Sequence, residues 1–276
     1  MFAALTSILA KIGIKDIDSN LATALRTVVV LIMAWVVVAI VGSAGSITDI
    51  SSKTLIFLIL SGLATGGSWL CYFKAIQMGN VNKVAPIDKS STVLTMVLAF
   101  ILLGESFSVL SGIGLILIFI GTMLMIEKKD VSDAKESGRS WLVYAVLSAV
   151  FASLTSILGK VGIEGVESNL GTAIRTVVVL LMAWLVVFIR RPAPDKRHVS
   201  KKSGLFLVLS GLATGGSWLC FYAALQTGPA SVIVPIDKLS ILFTVIFATV
   251  ILRERTPLKS WGGLAVLVAG TLLLLV

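Results

Sequence analysis

Charged side chains are scarce in this sequence. Asp, Glu, Lys and Arg make up 13% of the 276 residues, which is about half their share in an average soluble protein. Hydrophobic residues make up 57%, and the mean hydropathy is +1.03. This composition excludes a soluble globular domain and predicts an integral membrane protein. The net charge of +9 does not indicate a nucleic-acid partner, because no basic patch is interleaved with aromatic residues.

Residues that carry metal, redox or catalytic chemistry are equally few. The two cysteines, Cys71 and Cys220, lie in the middle of apolar stretches, where a small packing role is expected rather than a metal site or a disulfide. The single histidine, His198, lies in a basic loop. No nucleotide-binding loop, metal-ligand cluster or nucleophile–base pair is present. The sequence therefore predicts neither an enzyme nor a cofactor, and no cleavable signal peptide is expected at its start.

Long apolar stretches dominate the chain. About 20 apolar residues are needed to cross the hydrocarbon core of a bilayer, and stretches of about this length recur throughout. We predict an all-α membrane protein of ten transmembrane spans, in which a shortened first span, Phe2–Ile14, precedes nine others. These nine are Leu21–Val41, Leu55–Gln77, Val81–Leu103, Val109–Ile126, Trp141–Ile163, Leu170–Ile189, Leu205–Gln226, Ala230–Leu252 and Leu258–Val276.

An internal repeat is the clearest feature of the sequence. The eleven residues SGLATGGSWLC occur at both Ser61–Cys71 and Ser210–Cys220, and RTVVVL and PIDK also recur at an offset of 149 residues. Such self-similarity predicts two copies of one structural unit. We assign residues 1–127 to the first five-helix repeat, 128–140 to a polar linker and 141–276 to the second repeat. Compared with the second copy, the first lacks roughly nine to eleven residues of its opening helix, so either its start is truncated or the first helix does not fully span the membrane.

The number of spans in each repeat predicts that the two copies are inverted. Five spans bring the chain to the opposite face of the membrane, so the second copy enters from the other side. Seventeen of the 23 basic residues lie in or beside the loops on one predicted side, whereas two lie on the other. By the positive-inside rule, the basic side faces the cytoplasm. We expect a multi-pass protein of a bacterial inner membrane, with a cytoplasmic linker and the inverted repeats that are typical of alternating-access transporters.

Charged residues inside the predicted spans are the first candidates for function, because a charge at membrane depth needs a partner or a wet cavity. Their spacing predicts two equivalent clusters, one toward each mouth of the protein. The clusters are Lys11, Arg26 and Asp88 in the first copy, and Lys160, Arg175 and Asp237 in the second. We hypothesise that the arginine and aspartate of each cluster form an ion pair, which either forms and breaks as a gate or is a permanent bridge between helices. Replacing Asp88 with Asn separates the two, because unchanged transport would contradict a gate.

Polar and aromatic residues extend the candidate set. Span 4 contains Pro86 and carries a polar stripe that begins with Asp88 and Ser91. Asp237 and Ser240 repeat this stripe in span 9, and we favour a stripe that faces a cavity. The neighbouring lysines and the aromatics of spans 3 and 8 are substrate-binding or gating candidates, although aromatics at helical spacing are more often packing residues. They are Lys89, Lys238, Trp69, Tyr72, Trp218 and Tyr222.

Several motifs resemble those of EamA-type transporters of the drug/metabolite transporter superfamily. Tyr72–Gly79 and Phe221–Gly228 are similar to the end of the third helix in that family, and Gly104–Glu105 resembles its Gly-Glu ending of the fourth helix. The resemblance covers nearly the whole chain. It implies ten helices in two five-helix repeats and secondary transport of amino acids, other metabolites or drugs.

The charge of the predicted spans favours one class of substrate. Spans 1 and 6 carry Lys11 and Lys160 in place of the membrane-embedded glutamate of small multidrug-type cation exporters. We therefore expect a secondary transporter, most simply an exporter, of an amino-acid-like or anionic metabolite, with the bilayer as its surroundings and protons as a candidate coupling ion. The alternatives are a flippase for lipid-linked substrates, a lipophilic drug exporter and, in a different class, a non-transport membrane scaffold.

Overall fold

A computed structural model describes residues 1–13, 17–78, 84, 87–125, 140–191, 199–250 and 257–275. Within these ranges the regular structure is helical. The helices are α1 (Phe2–Gly13), α2 (Ser19–Val41), a 3₁₀ helix (Ser43–Asp49), α3 (Ser52–Met78), α4 (Ser91–Leu102), α5 (Val109–Met125), α6 (Ser140–Ile163), α7 (Ser168–Arg190), α8 (Lys201–Thr227), α9 (Ala230–Lys238), α10 (Ser240–Val250) and α11 (Leu258–Leu273).

The helices account for a multi-pass membrane protein. In the described part of the chain, six helical segments are long and apolar enough to cross a membrane. They are Ser19–Val41, Ser52–Tyr72, Ser140–Ile163, Ser168–Arg190, Lys201–Thr227 and Ala230–Phe247. Helices α5 and α11 are apolar but shorter. The described part of helix α1 has 12 residues, a length of about 18 Å at 1.5 Å per residue.

Helices α2 and α7 begin at equivalent acidic N-caps. The carboxylate of Asp18 accepts hydrogen bonds from the amides of Asn20 and Leu21, and that of Glu167 accepts them from the amides of Asn169 and Leu170. Each cap satisfies amides that have no partner inside the helix. Burial works to raise the pKa of Glu167, but the hydrogen bonds outweigh it and hold the pKa below its ordinary value.

The two halves of the chain pack against each other through equivalent helices. Helix α3 packs on α6, and the equivalent helices of the other half, α8 and α1, pack on each other in the same way. Helix α2 packs on its own equivalent α7, and α5 packs on its equivalent α11. The arginine-bearing helices α2 and α7 also contact α8 and α3 respectively. Functional side chains of one half are therefore positioned by helices of the other half.

Glycines in the repeated SGLATGG segment permit this close packing. A Cβ atom at Gly62 would lie 2.7 Å from Cβ of Val178 on α7, and one at Gly211 would lie 2.7 Å from Cβ of Val29 on α2. Both distances are too short for real side chains, so the GxxxG spacing brings α3 onto α7 and α8 onto α2. This contact places the hydroxyl groups beside each glycine next to an arginine of the other half.

The predicted ninth span is interrupted. Helix α9 contains Pro235, and α10 begins at Ser240, so the break falls at Leu239. Proline lacks the amide hydrogen that the helix ladder needs and crowds the preceding turn. The amide of Leu239 donates to the carbonyl of Ile236, and Ser90 donates to Ile87 in the same way at the equivalent position of the first half. The interruption leaves Asp237 and Lys238 at a helix end inside the molecule.

Candidate functional site: a cavity between the two halves

Arg175 is a buried cation that is held by hydroxyl groups of the opposite half. Its side chain is 3% exposed. Nε donates to Oγ of Ser61 at 2.9 Å and Nη2 donates to Oγ1 of Thr65 at 2.6 Å, while Oγ of Ser61 donates onward to the carbonyl of Thr155 at 2.7 Å. Its Nη1 is buried without a hydrogen-bond partner in the described structure. The guanidinium therefore has fixed orientation and unused donor capacity.

Two aromatic rings from α8 cover the Arg175 guanidinium. Cζ lies 4.9 Å from the ring centre of Tyr222 and 5.4 Å from that of Trp218. The negative face of an aromatic ring stabilises a cation at these distances, but it neutralises no charge. Among the described residues, Arg175 forms no ion pair, and this differs from the predicted cluster in which it would pair with Asp237.

Arg26 occupies the equivalent position of the first half and is held more loosely. It is half-buried, and its Nη1 lies 3.5 Å from Oγ of Ser210. The surrounding network repeats that of Arg175, since Ser210 donates to the carbonyl of Thr6 at 2.9 Å and Thr214 contacts the Thr6 hydroxyl at 3.2 Å. The same sequence motif therefore builds a tightly bonded arginine in one half and a weakly bonded one in the other.

A cavity of about 360 Å³ lies between the halves, and we call it the central cavity. It collects six of the predicted site residues from α3, α7, α8 and α9, namely Trp69, Arg175, Trp218, Tyr222, Asp237 and Lys238. Small hydroxyl-bearing residues complete much of the wall: Thr65, Ser68, Thr155, Ser156 and Ser217. The lining carries two formal positive charges and one negative charge, and flat aromatic surfaces stand beside them.

The acidic and basic residues before α4 lie outside this lining. Asp88 accepts a 2.9 Å hydrogen bond from the hydroxyl of Ser148 on α6, so Arg26 and Asp88 have different partners rather than forming the expected pair. The side chain of Lys89 is exposed. It lies close enough to Lys238 and Asp88 for electrostatic interaction with both. Tyr72 packs beside Ala75, Val84 and Ala145, also within electrostatic reach of Asp88.

The remaining candidates are distributed around the site. Ser91 is half-buried at the start of α4, a helix that packs against α6 and α9. Ser240 lines a neighbouring cavity of about 380 Å³ that also includes Asp237 and Cys220. The side chain of Lys11 lies outside the described residues.

Lys160 has a different place from the one that the sequence suggested. Its ammonium donates to the carbonyls of Leu225 at 2.6 Å, Gln226 at 3.3 Å and Gly228 at 3.0 Å. These carbonyls lie at the end of α8, where the last turn of a helix leaves them without partners. Lys160 is therefore a helix cap rather than a partner of Arg175. Depth alone placed it in the cluster, whereas its contacts come from the neighbouring helix end.

The Gly-Glu turn after α4 contacts the start of α9, close to the helix end that Lys160 caps. The carboxylate of Glu105 accepts hydrogen bonds from the amides of Ala230 at 2.6 Å and Ser231 at 2.8 Å, at the start of α9. A carboxylate is favourable there because of the free amides and the helix dipole. Glu105 belongs to the first half of the chain and α9 to the second, so this motif is a contact between the two halves.

The hydroxyl residues of the cavity were not predicted as site residues, although the sequence carries a signal for them. Ser61 and Thr65 lie one turn apart on α3 and each precedes a glycine of the GxxxG pair. A helix that contacts another through small residues also brings their neighbouring hydroxyls to that contact. Thr155 and Ser156, which correspond to Thr6 and Ser7 at the 149-residue offset, line the same cavity.

Comparison with known proteins agrees with this architecture. A relative from Sinorhizobium sp, an uncharacterized transporter in the cobO 3′ region, is 43% identical over 138 residues, which cover 50% of this chain and 98% of the relative. An uncharacterized transporter of Archaeoglobus fulgidus is 23% identical over 95% of this chain and 90% of its own length. A solved crystal structure shares the fold with a TM-score of 0.80 at 16% identity, covering 98% of this chain and 92% of that one.

A family model described as the EamA-like transporter family matches residues 1–127 and 139–276. The matched ranges include both arginines, both PIDK motifs and the helices that line the central cavity. Because these ranges cover nearly the whole sequence, the chain belongs to the EamA-like transporter family.

Proposed function

We propose that the protein is a secondary transporter, operating as an exporter, for a small amino-acid-like or anionic metabolite. The observation that carries the proposal is the central cavity, which lies between the halves and contains Arg175, Asp237 and Lys238. Substrate sites of transporters built from repeats lie at such an interface. Membership of a transporter family agrees with this role.

The state of Arg175 supports a carboxylate as the recognised group. A buried hydrogen-bond donor without a partner is costly, and one that belongs to a charged group is especially so. Nη1 of Arg175 is such a donor. A carboxylate that engages the planar guanidinium would satisfy it through charge-assisted hydrogen bonds. Asp237 lies on the same cavity wall and offers a partner to the ammonium group of a zwitterion.

The size and charge of the cavity argue against a lipophilic cation. Ligand pockets span about 300–1,000 Å³, so the central cavity, with about 360 Å³, suits a small metabolite. Its lining of Arg175, Lys238 and Asp237 has a formal charge of +1, which opposes a cationic ligand. Trp69 and Trp218 add apolar surface that can pack against the nonpolar part of a substrate.

The symmetric packing of the halves supports alternating access. If each helix is replaced by its equivalent in the other half, every main packing pair becomes another observed pair or stays the same. Inverted repeats that rock about a fixed site would need such interchangeable contacts. We propose that the repeats are inverted in a bacterial inner membrane with the linker in the cytoplasm. Asp237 is the candidate proton carrier, since it is a carboxyl group in the cavity lining.

Thermal stability of the purified protein tests this proposal. A ligand that binds only the folded protein stabilises it by about 2.7 kcal/mol at 100 times its Kd. We expect stabilisation by small carboxylates or zwitterions and none by the matching amides, which keep the shape but lack the negative charge. Stabilisation by lipophilic cations alone would contradict the proposal and favour drug export. Stabilisation by lipid-linked anions alone favours a flippase, and no response to any ligand favours a scaffold.

A further inference from the structure

A second, smaller cavity lies beside Arg26, and we call it the Arg26 pocket. It has a volume of about 160 Å³ between α2, α3 and α7. Helix α2 supplies polar groups and α7 supplies apolar walls. The lining residues are Asn20, Thr23, Arg26, Trp69, Ala183 and Val186. A cation and an amide thus share a small pocket whose other walls are largely apolar.

The polar groups of this pocket are incompletely bonded. The hydrogen bond of Arg26 to Ser210 is 3.5 Å long, which is beyond the usual range for N–H···O bonds. The Oδ1 atom of Asn20 is buried without a partner in the part of the chain that the structure describes. A guanidinium with this much free donor capacity in a confined space favours an anion.

The equivalent residues of the second half are packed differently. Asn20, Thr23 and Arg26 correspond to Asn169, Thr172 and Arg175 at the offset of 149 residues. Thr172 is 1% exposed and Arg175 is 3% exposed, and the Asn169 amide donates to the Glu167 carboxylate at 2.6 Å. Nearly the same local sequence therefore leaves a pocket beside Arg26 in the first half, whereas in the second half Asn169 is hydrogen-bonded, Thr172 is buried and Arg175 lines the central cavity. The local sequence alone does not create the pocket.

Trp69 connects the two cavities because its side chain lines both of them. Its equivalent in the second half, Trp218, instead covers the Arg175 guanidinium. The indole of Trp69 is therefore a wall shared by the central cavity and the Arg26 pocket.

We propose that the Arg26 pocket is a second anion-binding subsite, which takes a small carboxylate after Trp69 has moved aside. Its place on a transport path rests on the proposed function, whereas anion binding at Arg26 does not. A cavity of about 150 Å³ accommodates benzene, so the Arg26 pocket, at about 160 Å³, accommodates a carboxylate of about six or seven non-hydrogen atoms. Larger carboxylates are confined to the central cavity.

Fluorine NMR of the purified full-length protein with two probes tests this subsite. Trifluoroacetate, with about seven non-hydrogen atoms, fits both cavities, and 4-(trifluoromethyl)phenylacetate fits only the central cavity. We expect two bound trifluoroacetate ions and one bound molecule of the larger probe per chain. The R26Q variant should keep the larger probe and bind one trifluoroacetate, and the T23M variant, which fills the pocket and retains Arg26, should do the same.

The outcomes separate this subsite from the proposed function. A single trifluoroacetate site that survives R26Q and T23M but disappears in R175Q would overturn the subsite and leave the central anion site standing. Binding of trifluoroacetate alone, lost in R26Q, would support the subsite and contradict the central anion site. Absence of binding by both probes would overturn both. Retention of two sites in T23M would also overturn the subsite, because the pocket would then be filled by the methionine.

Discussion

Replacement of Arg175 with glutamine is expected to weaken binding of a carboxylate substrate by about two to three orders of magnitude. Hydrogen bonds to charged groups contribute about 1.5–3 kcal/mol each, and a bidentate arginine contact makes two of them. Loss of about 3–4 kcal/mol corresponds to this factor, since 1.4 kcal/mol is tenfold. The Kd of the ligand identified by thermal stabilisation, measured for wild type and R175Q, provides the test.

Two further variants control for effects on folding. R175K retains the charge but lacks the planar fork, so its Kd should lie between those of wild type and R175Q. R26Q makes the same change at the equivalent position, where the guanidinium does not line the central cavity, and should leave the Kd of a large carboxylate within a few-fold of wild type. Equal losses in R175Q and R26Q would show that the effect is structural and would contradict a direct role for Arg175.

The fold was largely predictable because the repeat supplies its own internal comparison. The 149-residue offset identifies Arg26 with Arg175 and Asp88 with Asp237, and hydropathy identifies most helix positions. The break after Pro235 follows from local chemistry, since proline cannot complete the helix ladder. The ten-span count and the inverted orientation stay predictions.

The partners of the charged residues could not be predicted from depth. Arg26 and Asp88 lie at similar depth in their spans, but depth does not specify the direction in which a side chain points around the helix axis. Arg26 faces Ser210 on α8, whereas Asp88 faces Ser148 on α6. Which helices become neighbours depends on packing between the halves, and that packing is decided by glycine contacts far apart in the sequence. Lys160 was misplaced for the same reason.

The different surroundings of Arg26 and Arg175 also could not be predicted from the repeated sequence. Sequence identity in SGLATGGSWLC predicts equal surroundings for Arg26 and Arg175. Among the residues that the structure describes, however, Arg175 has two short hydrogen bonds and Arg26 has a single long one. The two copies also differ in sequence at one position, since Tyr222, whose ring lies beside Arg175, corresponds to Phe73 in the first copy. An alternating-access transporter in one state places its equivalent halves in different environments, and this is the interpretation that we favour.

Replacement of Gly263 with alanine is expected to destabilise the protein by about 1–3 kcal/mol. Helices α5 and α11 cross with backbones in contact, where Gly121 opposes Gly263 and Gly114 opposes Gly270. A Cβ atom at Gly263 would lie 2.8 Å from the carbonyl oxygen of Gly121 and 2.9 Å from the amide nitrogen of Met125. Neither neighbour is a side chain that can rotate away, so the helices must separate, and overpacking of this kind costs about 1–3 kcal/mol or more.

The adjacent residue offers a matched control for this prediction. A Cβ atom at Gly262 would meet no atom within 4 Å, so Gly262→Ala adds the same methyl group to the same helix without a clash. Since alanine has the higher helix propensity by about 1 kcal/mol, Gly262→Ala should leave the midpoint of thermal unfolding unchanged or raise it. Gly263→Ala should lower the midpoint by many degrees. Equal midpoints for the two variants would show that α5 and α11 do not pack through their glycines. The contact between the two halves through α5 and α11 would then be wrong.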